Sequence, residues 1–193
     1  NAIAGQSPVI FISRSFIDST VGFFSLVLKI LNAPTAIISK SIGQVFFQKV
    51  SEHANLSPHL LLNDIYSAAF KLAMLSVLLF SPIVLFGPEL FSVVFGSEWI
   101  QAGYYAQILV FSIAVKFVVS PLSTIFLAID RIKVVSIWQL AYFCITILVL
   151  VLATSFEFEK FLWVYVFSEI TMYVLYFLLM LYTVKKHTAM KEL

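Results

Sequence analysis

Long apolar stretches alternate with short polar breaks along this chain. From Val134 to Phe156 no charge falls between Lys133 and Glu157. A stretch at about 66–86 holds only Lys71, near its start, and one at about 104–129 is interrupted only by Lys116. The stretch at about 161–184 holds only Glu169, and that at about 21–47 carries Lys29 and Lys40. A helix needs about 20 mainly apolar residues to cross the hydrocarbon core of a bilayer. Each stretch therefore predicts a spanning helix. Residues 1–16 read as the end of a further, partial span, so that an N-terminal part is expected to precede the chain. Residues 185–193 read as a tail. An open sheet cannot satisfy its backbone in lipid, and the strict alternation of a barrel strand is missing. The predicted fold is all-α: a polytopic transmembrane helix bundle with five complete spans and one partial span.

The breaks are short. The longest polar one runs from Gln48 to Asp64. Pro88 to Gly103 is amphipathic, with Phe91, Val94, Phe95 and Trp99, and reads as a helix lying in the interface. Lys49, Arg131, Lys133, Lys185, Lys186 and Lys191 fall at one end of the alternating spans. Glu89, Glu98, Glu157 and Glu159 fall at the other, with Lys160 and Arg14 as exceptions. Basic residues favour the cytoplasmic side, so the tail and the Gln48–Asp64 break are expected there.

Polar residues within the spans are not scattered. Asp18, Lys29 and Lys40 recur every eleven residues, about three helical turns. Gly22, Ser25, Asn32, Ala33, Ala36 and Gly43 share that face. Ser112, Lys116, Ser120 and Ser123 share a face of a later span, as do Tyr165, Glu169, Tyr173 and Tyr176 in the last one. A charge in the hydrocarbon costs about 2.5–3.5 kcal/mol on insertion scales, so such faces turn toward a cavity or a partner. For Lys116 a water-filled cavity is the expectation. Lys40 sits where it can snorkel. Gly22, Ala33 and Ala36 suit close helix packing, and Lys29 and Glu169 lie at similar depth, as an ion pair would require. Pro34, Pro82 and Pro121 each remove a backbone donor inside a span and are candidate kinks or hinges.

Composition narrows the class. Of 193 residues, 61% are hydrophobic and 11% charged, against roughly 45–50% and about 25% in soluble domains. A net charge of +2 supplies no basic stripe for nucleic acid. One cysteine, Cys144, and three scattered histidines build neither a disulfide framework nor a metal site. Paired carboxylates, a phosphate-cradling glycine loop and a Ser–His arrangement are all missing, so no catalytic residues and no enzyme activity are expected.

Several phrases resemble a known family. They are Val21-Gly22-Phe23-Phe24-Ser25-Leu26-Val27-Leu28-Lys29-Ile30 with Pro34 and Ser41-Ile42-Gly43-Gln44-Val45-Phe46-Phe47, then Phe95-Gly96-Ser97-Glu98-Trp99-Ile100-Gln101-Ala102-Gly103, then Ser120-Pro121-Leu122 with Asp130-Arg131-Ile132-Lys133. In this order and spacing they resemble bacterial polysaccharide (O-antigen repeat-unit) flippases, the polysaccharide transporter branch of the multidrug/oligosaccharidyl-lipid/polysaccharide exporters. The resemblance implies that residues 1–193 are the C-terminal six-helix lobe of a twelve-helix, two-lobed exporter, with an N-terminal lobe as its partner. It implies translocation of undecaprenyl-pyrophosphate-linked oligosaccharide across the cytoplasmic (inner) membrane, with sodium or a proton as the coupling ion and no other cofactor. Other polysaccharide-assembly proteins are further implied partners. Lys29 stands where the family often carries a basic, cavity-facing residue. With Lys116, Glu169, Asn32, Ser25, Ser112, Ser120, Tyr173 and Tyr176 it forms the candidate pathway, the tyrosines as platforms for sugar rings. A drug/cation antiporter of the same superfamily would favour cavity acids, and Glu169 is the one deep acid against two lysines. A non-transport membrane component, or an enzyme of polysaccharide assembly, is the remaining alternative.

Overall fold

A computed structural model describes residues 8–9 and 12–191 of the chain. The partial span expected at 1–16 lies largely outside the described residues, of which 12–15 are helical. The remainder is helix after helix: α1 (Asp18–Leu56), α2 (Leu61–Phe95), α3 (Ile100–Leu122), the short α4 (Ile125–Ala128), α5 (Ile132–Ala153) and α6 (Phe158–Lys191). Single 3-10 turns, Pro58–Leu60 and Ser97–Trp99, lead into α2 and α3. Five of these helical segments are long and apolar enough to cross a membrane. Their outward residues are apolar too: Val93 is 85% exposed and Phe167 73%. Such a surface suits lipid and not water. The chain has the build of a multi-pass membrane protein.

The helices outrun the apolar stretches that predict them. The break expected at Gln48–Asp64 shrinks to the few residues after Leu56, because α1 continues beyond its apolar stretch. Phe46, Val50 and Ala54, four residues apart, keep one face buried while Lys49 and Glu52 point outward. A recurring apolar face holds a helix together whatever solvent surrounds the other side. The segment Pro88–Gly103 is not a separate interfacial helix. Its first half is the last two turns of α2, and its second half opens α3.

The bend in α2 falls at Phe86, whose φ of −131° and ψ of 25° break the helical run. Its cause is Pro88, which has no N–H to offer the Val84 carbonyl four residues back. Gln107 of α3 makes up the loss, donating Nε2 to Val84 O at 2.9 Å. Just beyond, Gly87 and Gly103 let the two backbones touch. A Cβ on Gly103 would fall 2.4 Å from Pro88 Cα and 2.6 Å from Gly87 O. Pro82, expected to kink α2, leaves the Leu78 carbonyl to a long contact from Ser81 Oγ at 3.5 Å. Pro34 and Pro121 sit in α1 and α3 without breaking either helix. Gly96 ends α2 with a φ of +104° that side-chain-bearing residues rarely adopt.

α3 is the central helix, packed against α1, α2 and α6, and it contributes the largest share of the core. α5 leans mainly on α6, and on α4, with Thr146, Leu150 and Ala153 buried.

The basic residues grouped by sequence do gather at one end. Asp64, in the first turn of α2, is 4% exposed. It accepts from Lys49 Nζ at 2.7 Å and from His53 Nδ1 at 2.5 Å, both on α1. The end of α6 closes over this corner: Lys191 Nζ donates to Ala54 O at 2.6 Å and Thr188 Oγ1 to Pro58 O at 3.2 Å. Burial, then Lys191 and Arg131, holds His187 below the usual histidine range, which also places Arg131 at this end.

Candidate functional site

The polar faces of α3 and α6 meet, and α5 supplies a third member. Glu169 is 4% exposed in the interior of the bundle. Tyr142 of α5 donates its hydroxyl across both carboxylate oxygens, at 2.8 and 2.9 Å. Lys116 of α3 is near enough for its charge to act on that carboxylate, though no ion pair within 4 Å joins them. Tyr173 lies close to Ser120 and Tyr142, and its ring sits edge-on to Tyr142 with centroids 6.1 Å apart. Tyr165, one turn before Glu169, is buried beside it. One layer of hydroxyls, an acid and a lysine thus runs between α3, α5 and α6.

The layer follows from spacing. Lys116 and Ser120 are four residues apart on α3, and Tyr165, Glu169, Tyr173 and Tyr176 climb α6 at steps of three or four. Neighbours three or four apart share a helix face. In hydrocarbon an unpaired carboxylate or ammonium is expensive. Packing the two faces together gives each charge a polar neighbour.

Other expected site residues are placed differently. Lys29 does not pair with Glu169. It is exposed on the outer side of α1, with Gly22, Ala33, Ala36 and Lys40. Nothing lies within 4 Å of a Cβ built on Gly22, so the packing expected of the small residues is not made among the described residues. Gly43, at the end of the stripe, is buried against Pro121 and Thr124. Ser25 is half-buried on α1. Asn32 turns its amide back to Leu28 O at 2.8 Å, and Ser112 donates to Leu109 O at 2.9 Å. Lys40 borders a groove of about 460 Å³ between α1 and α3, with Ser39, Gln44, Ser120 and Thr124.

The Tyr176 ring is buried and stacks with Phe126, centroids 5.7 Å apart, and with Trp138 at 5.3 Å. Tyr173 remains half-buried.

Two contributors escaped the sequence reading. Tyr142 is one of three hydroxyl residues in the most apolar span, with Ser136 and Thr146, and the step Trp138, Tyr142, Thr146 would have marked its face. The Lys49–His53–Asp64 corner was hidden because its partners fall in the polar break between two apolar stretches. Among the described residues no group of three or more His, Cys, Asp or Glu side chains gathers to hold a metal. Compared with protein families, curated proteins and solved structures, the chain matches none.

Proposed function

We propose that the chain is the C-terminal lobe of an exporter that flips an undecaprenyl-pyrophosphate-linked oligosaccharide across the bacterial inner membrane, for surface polysaccharide assembly. The tail and the Asp64 corner then face the cytoplasm. The reading rests on the order and spacing of the flippase-like phrases. The observation that carries it is the uncovered stripe of α1. Lys29, Ala33 and Ala36 lie exposed on a helix long and apolar enough to cross a membrane, and no other described element covers them, while Lys40 borders the groove beside α3. Lipid rejects a lysine at the depth of Lys29, so the stripe faces water or a second lobe. A cavity bearing Lys29 lowers the electrostatic barrier to a pyrophosphate crossing a low-dielectric region. The isoprenoid tail stays in the bilayer meanwhile.

The Glu169 layer supplies the other requirement of a cycle. If sodium or protons drive transport, Glu169 is the buried carboxyl able to hold the coupling cation, with Lys116 as the competing charge. The same acid favours the second reading, a drug/cation antiporter. Two exposed stripe lysines and Lys116 outweigh it.

Deletion of the gene is expected to leave lipid-linked repeat units on the cytoplasmic face. Translocated units that merely fail to polymerise would refute transport and point to an assembly enzyme. In the full-length protein Lys29→Ala is expected to lower surface polysaccharide at unchanged protein level; normal polysaccharide would remove the stripe from the pathway.

A further inference from the structure

A larger groove lies at the end of the bundle away from Asp64, between α2, α3 and α6. It encloses about 720 Å³. Gln101, Tyr104, Tyr105, Ile108 and Phe111 lay one face of α3 along it, Val84 of α2 closes one side, and Glu159 and Trp163 of α6 the other. Tyr104, Phe111 and Trp163 are each about half-exposed, whereas Tyr105 is buried as the floor.

The lining is graded. Gln101 and Glu159 stand at the helix starts, where the chain leaves the hydrocarbon. Tyr104 and Trp163 come a turn deeper, and Val84, Ile108 and Phe111 deeper still, beside Gln107, whose amide is taken up by Val84 O. Gln101 to Phe111 is ten residues, about 15 Å along the axis. A polar mouth, an aromatic collar and an apolar shaft match an amphiphile lying parallel to the helices. The wall is firm, because Gly87 and Gly103 lock α2 to α3 and the Gln107 amide is engaged on Val84 O.

Charge selects among amphiphiles. Among the described residues Glu159 is the one acidic or basic side chain lining the groove. The next residue, Lys160, reaches toward Glu157 at 3.7 Å. A headgroup with only negative charge finds no cation here. One that also carries an ammonium finds a carboxylate, and its phosphate finds the Gln101 amide.

We infer that this groove binds a phospholipid with an ammonium headgroup, of the phosphatidylethanolamine kind, its acyl chain running along Ile108 and Phe111 and its ammonium at Glu159. The site needs only that the chain sits in a bilayer. It stands or falls separately from any cargo the chain moves.

The test uses the full chain in vesicles of equal phosphatidylethanolamine and phosphatidylglycerol with matched acyl chains. The protein is extracted in mild detergent and its retained lipids are quantified by mass spectrometry. Phosphatidylethanolamine is expected to be enriched roughly threefold, the scale of one exposed charge pair. Glu159→Gln should return the ratio to that of the vesicle, and Glu159→Lys should invert it. Glu157→Gln, a neighbouring exposed carboxylate outside the groove, should leave it unchanged. Both Glu159 variants alter an exposed side chain that has no partner among the described residues, so folding is not at stake. Equal retention by the natural chain, a preference for phosphatidylglycerol, or enrichment that survives Glu159→Gln would each overturn the site.

Discussion

α1 and α6 both carry charge into the hydrocarbon, and they resolve it in opposite ways. On α6, Glu169 is enclosed: Tyr142 bridges its two oxygens, Lys116 stands by, and Tyr165 and Tyr173 complete the surround. On α1, Lys29 looks outward from a stretch of the stripe, Gly22 to Ala36, that no other described element covers. The first arrangement is structural whatever else it does, since breaking it strands a polar group in an apolar interior. The second does little for this bundle, so whatever maintains it acts from outside. A polar face inside a membrane therefore has two meanings, and packing tells them apart.

The largest effect is expected where the enclosure is broken. Glu169→Ala leaves the Tyr142 hydroxyl without an acceptor and Lys116 without its counter-charge. A buried group that loses its partner costs about 1–3 kcal/mol, so unfolding in micelles should show a loss near the top of that range. Tyr142→Phe removes one donor and should cost about 1 kcal/mol. The double variant should cost less than the sum, because the two side chains share one interaction. Additive losses would mean that the Tyr142–Glu169 contact contributes nothing, and the contrast with α1 would weaken.

Much of this was legible before any coordinates. Apolar run length places all five spans, since bilayer thickness imposes its own ruler. Helical periodicity also found the α3 and α6 faces that go on to meet. What it cannot supply is the partner. Lys29 and Glu169 lie at similar depth, yet depth says nothing of direction around the bundle, and their pairing was not made. Tyr142 was invisible because a few hydroxyls barely dent the hydropathy of α5. The bend at Phe86 was misplaced to Pro82 because a proline's effect depends on its neighbours. Pro88 bends α2 where Gly87 and Gly103 bring α3 against it. The corner around Asp64 was lost for a related reason: α1 and α2 are held there by burial and an ion pair beyond the apolar stretch, where hydropathy is silent.

The lysines sharpen the contrast at intermediate size. Lys116→Met keeps the stem's packing and removes the charge facing Glu169, so it should destabilise the fold by about 1 kcal/mol and also impair transport. Lys29→Met should leave stability within about 0.5 kcal/mol, as an exposed substitution does, while lowering export. Unfolding midpoints and surface polysaccharide, measured on the same two variants, separate the roles. If Lys29→Met destabilised the fold as much as Lys116→Met, the stripe would be part of the bundle's own structure.

The smallest effect bears most directly on what the stripe faces. Gly22 lies within α1, and a Cβ built there meets nothing within 4 Å. Glycine inside a helix costs roughly 0.5–1 kcal/mol relative to alanine, because it surrenders more backbone freedom on folding. If the stripe borders a water-filled cavity, the new methyl has room, and Gly22→Ala should stabilise the full-length protein by about that amount. A second helix pressed against the stripe reverses the sign, since small residues at such a seam exist to let backbones approach. Thermal unfolding of the intact protein in micelles reads the difference. A gain, joined to a loss of export in Lys29→Ala, is the outcome a cavity predicts. A loss would turn the stripe from a pathway wall into a packing seam, and Lys29 would then have to be explained as the cation of an ion pair across that seam.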